Sequence, residues 1–266
     1  MIALRSEKEI AVLREANQIV AEVLVAMAGA VAPGVTTREL DAFAVDLIRE
    51  HGARPSFLGY HGYPSSTCIS VEEVIIHGIP GKRRIRNGEI VGSDVGVLHH
   101  GYHGDAAITV ACGKVDKLRQ RLMATTDRAL ACGIAAARPG NRLQDVSRAV
   151  QTTVEDQGFS VVRNFVGHGI GTEMHEEPQI PNFVSDDPGP RLRPGMVLAI
   201  EPMVNAGRAD VKILKDDWTA VTADGKPSAH FEHSIVVRDG VPELLSATPA
   251  LVWGRQEDEA PALRGQ

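Results

Sequence analysis

The sequence is short of cysteine, of aromatic residues and of long apolar runs, and each shortage excludes a class of protein. Among its 266 residues are three cysteines, Cys68, Cys112 and Cys132, which are odd in number, widely spaced and without a CxxC pair. Neither a disulfide framework nor a thiolate zinc site is therefore expected. No apolar run approaches the roughly 20 residues of a membrane span, and the charged, amphipathic start is unlike a signal peptide. These absences predict a globular cytoplasmic protein without a membrane partner.

Runs of basic residues are scarce as well. The formal net charge is −6, and the densest basic stretch is "GKRRIR" at 81–86, which we expect to be a solvated turn. Nucleic acid is therefore not predicted as a partner. Common catalytic motifs are missing: "GHGIG" at 167–171 lacks the GxGxxG spacing, "HEEPQ" at 175–179 lacks the second histidine of HExxH, and there is neither a Walker loop nor a G-x-S-x-G elbow.

What the chain does contain is an internal repeat. Residues 32–52, "APGVTTRELDAFAVDLIREHG", match residues 138–158, "RPGNRLQDVSRAVQTTVEDQG", at an offset of 106. Each copy is a Pro-Gly followed by an amphipathic helix that stops at glycine, with another apolar helix upstream, at about 7–31 and 115–137, and β-branched runs downstream. This predicts two α+β halves related by an approximate two-fold, with their sheets side by side under the helices. Chance similarity is the alternative, because only turn residues and core positions agree.

Residues 89–109, "EIVGSDVGVLHHGYHGDAAIT", are built like a β-hairpin with an acid in each arm, Asp94 and Asp105. If the turn lies at His99-His100, the two acids pair directly, with Cβ atoms roughly 5 Å apart. Like charges at that distance destabilise a ladder, and strand interiors already disfavour aspartate. We therefore expect a cation between them.

Four more polar residues occupy unusual positions. Glu201 ends the apolar run "MVLAIEP", Glu232 opens "EHSIVV", and His168 and His175 flank "HGIGTEMH". A single carboxylate in a strand is most often an edge or solvent-facing residue. Four carboxylates with imidazole, however, form a thiolate-free donor set that suits Mn, Fe(II), Co or Zn. Two such ions would lower the pKa of a shared water and polarise a carbonyl, which predicts a hydrolase.

The ordered motifs resemble one family across nearly the whole chain. They are "HGIP" at 77–80, "SDVGV" with Asp94, "GYHGDAA" with Asp105, "GHGIGTEMHEEP" at 167–178, "AIEPM" with Glu201 and "FEHSIVV" with Glu232. Together they resemble the type I methionine aminopeptidases in the short bacterial form. The resemblance implies the pita-bread fold, an α+β architecture of two pseudo-two-fold related halves with a central antiparallel sheet covered by helices.

The resemblance also implies roles for individual residues. The metal ligands would be Asp94, Asp105, His168, Glu201 and Glu232, with Asp105 and Glu232 bridging two ions. His77 and His175 would be catalytic and contact the substrate, and Glu201 would also be the general base. A methionine pocket would be formed by Tyr60, Tyr63, Cys68 and Trp218, although ordinary core packing also accounts for the aromatic members.

Two departures from the family pattern bear on pocket shape. Met174 stands where many relatives have an aromatic residue, and Gly92-Ser93 stands where they have an asparagine-containing segment. The predicted organisation is one catalytic domain at 1–252, with repeat halves at about 1–110 and 111–252, followed by a polar tail at 253–266.

The function implied is removal of the initiator methionine from the N-termini of nascent polypeptides whose second residue is small. We expect a monomer that uses two divalent ions, Co, Mn, Fe(II) or Zn, with the physiological ion left open and the ribosome as a further candidate partner. One alternative is a proline-specific peptidase of the same fold, of the aminopeptidase P or prolidase type, which usually carries an extra amino-terminal domain for which this chain has no room. A second alternative is an inactive pita-bread binding module, which would have lost metal ligands.

Overall fold

A computed structural model of the chain describes residues 2–247. Within them the helices are α1 (Glu7–Ala30), α2 (Thr37–Glu50), α3 (Lys117–Ala136) and α4 (Leu143–Glu155), with a 3-10 turn at Tyr60–Gly62. The strands are β1 (Arg54–Pro55), β2 (Cys68–Val71), β3 (Val74–Ile76), β4 (Ile90–His99), β5 (Tyr102–Ala111), β6 (Ser160–Val161), β7 (Gly167–Gly169), β8 (Glu176–Ile180), β9 (Val197–Ile200), β10 (Met203–Asn205), β11 (Val211–Ile213), β12 (Ala220–Thr222), β13 (Ser228–His230), β14 (Glu232–Val236) and β15 (Glu243–Leu244).

The centre of the molecule is a nine-stranded antiparallel sheet. Its main path runs β1-β4-β5-β14-β9-β7-β8, with β2 added on β4 and β15 on β14. Helix α1 packs against β4 and β5, and α3 packs against α4. Val20 and Leu24 of α1 and Val95 and Val97 of β4 are all fully buried in the same core cluster. Because side chains alternate along a strand, the neighbours of these valines, including Asp94, face away from α1.

The repeat predicted from the sequence is present in the backbone. Helix α2 begins at residue 37 and α4 begins at residue 143, which is the offset of 106. The glycines of the two Pro-Gly turns have nearly equal angles, φ 92° at Gly34 and 91° at Gly140. A capping box starts α2 at Thr36, whose hydroxyl accepts from the Glu39 N–H while the Glu39 carboxylate accepts from the Thr36 N–H.

The register predicted for the hairpin is wrong. The β4–β5 ladder pairs Asp94 with Ala107 and Asp105 with Gly96, and its two-residue turn is His100-Gly101. Both turn residues have positive φ, 47° and 83°, which the twist-compatible type I′ turn requires and which glycine adopts without steric cost. The two acids are therefore diagonal neighbours on one face, about 7–8 Å apart at the backbone rather than directly opposite.

Not every β-branched run downstream of the repeated helices forms a strand. Of the run "VVRNFV" at 161–166 only Val161 lies in a strand, while Val162 and Phe165 pack into a small cluster with Ile76 and Met203. The predicted tail at 253–266 and the domain boundary before it lie outside the described residues. In the part of the chain that the structure describes, no helix is both long and apolar enough to cross a membrane.

The contact between α1 and the hairpin leaves no room for a side chain at Gly104. A Cβ added there would lie 2.7–2.9 Å from backbone atoms of Ala16 and Asn17. We predict that Gly104→Ala lowers the free energy of unfolding by about 1–3 kcal/mol, since the helix or the strand must shift. Gly29→Ala is the matched control, because nothing lies within 4 Å of its added Cβ and alanine favours a helix by about 0.5–1 kcal/mol.

Urea denaturation of the two variants tests this contact. Equal stabilities for Gly104→Ala and the wild-type protein would show that α1 is not pressed against β5 at this point.

Candidate metal centre and substrate cavity

The five predicted metal ligands lie on five neighbouring strands of the central sheet. They are Asp94 in β4, Asp105 in β5, Glu232 at the start of β14, Glu201 directly after β9 and His168 in β7. Asp94 and Glu232 share the partner Ala107, and His168 pairs with Ala199, two positions before Glu201. A period of two places all five side chains on one face of the sheet. The convergence expected from the sequence is therefore observed.

The polar atoms of this group approach one another closely. His168 Nε2 lies 3.6 Å from Glu201 Oε1 and 3.8 Å from Asp105 Oδ2. Asp105, His168 and Glu232 each offer one ligand atom within 4.8 Å of the others. His168 Nδ1 is 2.9 Å from the Gly169 carbonyl, so the proton resides on Nδ1 and donates to that oxygen. The Nε2 lone pair is then directed at the carboxylates, as metal-binding histidines require.

The backbone of Asp105 is held from two sides. The side-chain oxygen of buried Asn17 in α1 accepts from the Asp105 N–H at 3.3 Å, and the Ser234 hydroxyl donates to the Asp105 carbonyl at 2.8 Å. Helix α1 and strand β14 therefore fix the strand segment that carries one of the central carboxylates.

The residues present fit divalent cations. Asp94 Oδ1, Asp105 Oδ1 and Glu232 Oε1 are buried and have no hydrogen-bond partner within residues 2–247. Buried carboxylate oxygens without partners are costly, and coordination of a cation removes that cost. Carboxylates with one imidazole and no thiolate form a donor set suited to Mn, Fe(II), Co or Zn.

The acids perturb one another in the absence of a cation. Burial raises the pKa of Asp94 to about 7. Burial also raises the pKa of Asp105, Glu201 and Glu232 well above their usual range, and in each case neighbouring carboxylates add to the increase. Without metal, this face of the sheet holds protons that a cation would displace.

The same face opens into a cavity of about 630 Å³. All the predicted site residues line it: Tyr60, Tyr63, Cys68, His77, Asp94, Asp105, His168, His175, Glu201, Trp218 and Glu232. One wall is apolar, formed by buried Phe57, Tyr63, Cys68 and Met174, with Tyr60, Ile79 and Trp218 packed against them. The aromatic residues therefore pack with one another and also line the cavity, and their role as a methionine pocket stays a prediction.

Two histidines face the cavity beside the carboxylates. His175 is exposed at the mouth, its ring 4.2 Å from that of His168, and its Nδ1 lies 2.7 Å from the Tyr60 hydroxyl. Partial burial lowers the pKa of His175, and the nearby imidazoles of His61 and His103 lower it further. Burial likewise lowers the pKa of His77 to about 4. His77 follows β3 with φ 57°, a strained backbone that recurs at functional positions.

Sequence reasoning missed three residues that contribute to the site. Phe57 and Met174 form part of the apolar wall, although Met174 was noted as a departure that bears on pocket shape. His230 is buried, its Nε2 lies 3.7 Å from Glu201 Oε2, and this nitrogen has no hydrogen-bond partner among the described residues. The available signal was its position two residues before Glu232, because a continuous strand would place both side chains on one face, although the structure divides this run into β13 and β14.

Comparisons with known proteins agree with this geometry. The model of metallopeptidase family M24 matches residues 11–239. The chain belongs to metallopeptidase family M24. Methionine aminopeptidase 1 of Bacillus subtilis (strain 168) is 48% identical over 246 residues, which are 92% of this chain and 99% of that protein.

Solved structures of the family share the fold. The crystal structure of methionine aminopeptidase from Thermotoga maritima matches this M24 chain with a TM-score of 0.91 and 41% identity, covering 93% of this chain and 100% of the other. Prolidase from Pyrococcus furiosus matches with a TM-score of 0.76 at 22% identity, over 92% of this chain and 65% of its own, which shows the fold alone. The predicted α+β pita-bread fold is confirmed. The chain is a metallopeptidase, and its family implies divalent metal ions.

The raised carboxyl pKa values predict how pH affects the metal-free protein. A carboxyl whose pKa is higher in the folded than in the unfolded state stabilises the fold fully below its unfolded pKa and loses that contribution as pH rises through the folded pKa. The chelated protein should therefore lose thermal stability between about pH 5 and pH 8, while the Mn²⁺-loaded protein should lose less. Calorimetric Tm values across this range measure the difference.

Glu232→Gln should flatten the pH dependence of the chelated protein, because it removes one of the coupled carboxyls. Asp210→Asn, at an exposed position, is the control and should leave the pH dependence unchanged. Parallel Tm curves with and without Mn²⁺ would contradict the interpretation that protons and cations compete for this face.

Proposed function

We propose that this chain is a methionine aminopeptidase that removes the initiator methionine from nascent polypeptides when the second residue is small. One observation carries the proposal: five metal-binding side chains on neighbouring strands face a cavity with an apolar wall. The similarity to the Bacillus subtilis protein, across nearly the full length of both chains, supports it.

Asp94, Asp105, His168, Glu201 and Glu232 would hold two divalent ions. Such ions supply Lewis acidity, which polarises a peptide carbonyl and lowers the pKa of water. Glu201, at the edge of this group, accepts the proton of the attacking water as general base. The ions in use would be Co, Mn, Fe(II) or Zn, because the donor set accepts each of them.

The histidines act on the substrate rather than on the ions. His175 Nδ1 lies 2.7 Å from the Tyr60 hydroxyl. When that hydroxyl donates to Nδ1, the proton of neutral His175 is on Nε2, from which it would donate to the carbonyl oxygen as negative charge develops there. His77, also neutral at pH 7 because burial lowers its pKa, lies beside Trp218 with ring centroids 6.0 Å apart. It is positioned to contact the substrate's amine and scissile amide.

The apolar wall would bind the methionine side chain. Tyr60, Tyr63, Cys68 and Trp218 supply aromatic rings and a thiol, and Cys68 pairs directly with Asp94 in the β2–β4 ladder. A flexible, polarizable thioether fills such an irregular apolar space well. The pocket therefore adjoins the proposed metal ligands, which would place the scissile bond next to them.

Two other functions have less support. A proline-specific peptidase has the same fold, but the prolidase match has 22% identity against 48% for the methionine aminopeptidase. An inactive binding module would be expected to lack ligands, and all five are present here. The ribosome as a partner, a monomeric state, a cytoplasmic location and the boundaries of the catalytic domain remain predictions from the sequence.

The proposed substrate leads to a direct prediction. A Met-Ala-Ser peptide should release methionine in the presence of Co²⁺ or Mn²⁺ and should stop doing so after chelation. A peptide with leucine second should be cleaved much more slowly, because a branched side chain collides with the rim of the site. An X-Pro peptide is the control for the alternative enzyme. Chelator-resistant cleavage would falsify the metal mechanism, and preferred cleavage of X-Pro would replace the proposed substrate.

The division of roles leads to a second prediction. Glu232→Ala should abolish both metal loading and turnover. His175→Ala should keep its metal and lower kcat by about 10²-fold or more, the usual scale for the loss of one oxyanion donor. Metal analysis after gentle purification, combined with steady-state kinetics, separates the two effects. Loss of metal from His175→Ala would show that this histidine is a ligand instead.

A further inference from the structure

A second group of metal-binding side chains lies at the tip of the β4–β5 hairpin. Glu15 of α1, His99 at the end of β4 and His100 in the turn each offer one ligand atom, and these atoms lie within 4.8 Å of one another. His99 Nε2 is 3.8 Å from Glu15 Oε2, and the centroids of the two imidazole rings are 4.1 Å apart.

This group is separate from the active-site cavity. His99 is five residue steps along the strand from Asp94, which is about 17 Å at 3.4 Å per residue. Because side chains alternate, His99 lies on the same face as Val97, which packs toward α1, whereas Asp94 faces the cavity. A cation bound at the tip therefore could not be one of those in the active site.

Regular secondary structure holds the three residues in place. Helix α1 packs along β4, and the type I′ turn fixes His100 at φ 47°. His99 has little exposure, and its Nδ1 is buried without a hydrogen-bond partner among the described residues. One ring nitrogen of His99 is thus left without a hydrogen bond from the described part of the protein.

The surroundings of His99 favour the neutral imidazole, which can bind a metal ion, over the imidazolium, which cannot. Burial lowers the pKa of His99, His100 and His51 lower it further, and Glu15 opposes them. His51 itself is engaged with Glu22, at 3.3 Å between Nε2 and Oε2. Two imidazoles and one carboxylate prefer borderline ions such as Zn²⁺, Ni²⁺ or Cu²⁺ over Mg²⁺ or Ca²⁺, and three protein ligands leave a position for water.

We propose that Glu15, His99 and His100 form a second metal site, which binds a borderline transition-metal ion such as Zn²⁺ and joins α1 to the tip of the hairpin. The site does not depend on the proposed peptidase substrate. It would link the helix that supports Asp105 to the hairpin that carries both Asp94 and Asp105.

The test measures protection of individual histidines. The full chain is first saturated with Mn²⁺ to fill the active site, and Zn²⁺ is then titrated during carbethoxylation, with each histidine followed by peptide mass spectrometry. Zn²⁺ should protect His99 and His100 and leave His51 reactive. Glu15→Gln should need at least about tenfold more Zn²⁺ for the same protection, the scale expected for loss of a ligand contact. His51→Gln should behave as the wild-type protein does.

The variants are chosen to keep the fold. Glu15 and His100 are exposed, and His100→Asn, which should also weaken protection of His99, retains a residue that tolerates positive φ. Unprotected His99, equal Zn²⁺ dependence in Glu15→Gln and wild type, or parallel protection of His51 would each overturn the proposal. None of these readouts depends on peptide cleavage, so a failure here is distinguishable from a failure of the proposed function.

Discussion

The structure depends on one electrostatic constraint, the burial of four carboxylates on one face of a sheet. Asp105 and Glu232 are almost fully buried, and Asp94 and Glu201 are close to them. Transfer of several like charges from water is prohibitive unless they take up protons or share cations. The fold is therefore compatible with two neutralised states of the same face, one protonated and one metal-bound, and in the proposed function only the second would leave carboxylates available as ligands and base.

The architecture keeps these groups together by using strands that are distant in sequence. The repeat contributes two helical pairs, and the strands after them join in the order β4-β5-β14-β9-β7. Each strand supplies one side chain to the common face, so no single segment could form the site alone. Helix α1 supports the opposite face of the hairpin, and its Asn17 fixes the Asp105 backbone. Stability of the helical layer and geometry of the acidic face are consequently coupled.

The sequence revealed the members of the site because they violate local preferences. Aspartate inside a strand and glutamate at the end of an apolar run have no folding rationale, and this mismatch marked them. The hairpin register was not predictable in the same way. The turn lies one residue later than expected, and its position is decided by which residues accept a positive φ. His230 was missed because a histidine near a strand end usually has solvent. The cluster of Glu15 with His99 could not be foreseen, because only the packing of α1 on β4 brings them together.

Burial acts in opposite directions on the acids and the histidines of the active site. It raises the pKa of the carboxyls and lowers that of His168 and His230 to about 3. Without a cation, His168 and His230 are therefore neutral near pH 7, and the raised pKa values favour protonation of the carboxyls, with Asp94 close to its midpoint. With a cation bound, the carboxylates would ionise and the histidines would remain neutral, because an added positive charge further disfavours imidazolium. In the proposed function, the same apolar surroundings would prepare His168 as a ligand through its lone pair and His175 as a donor through its N–H, and this pairing of roles would require no further charged residue.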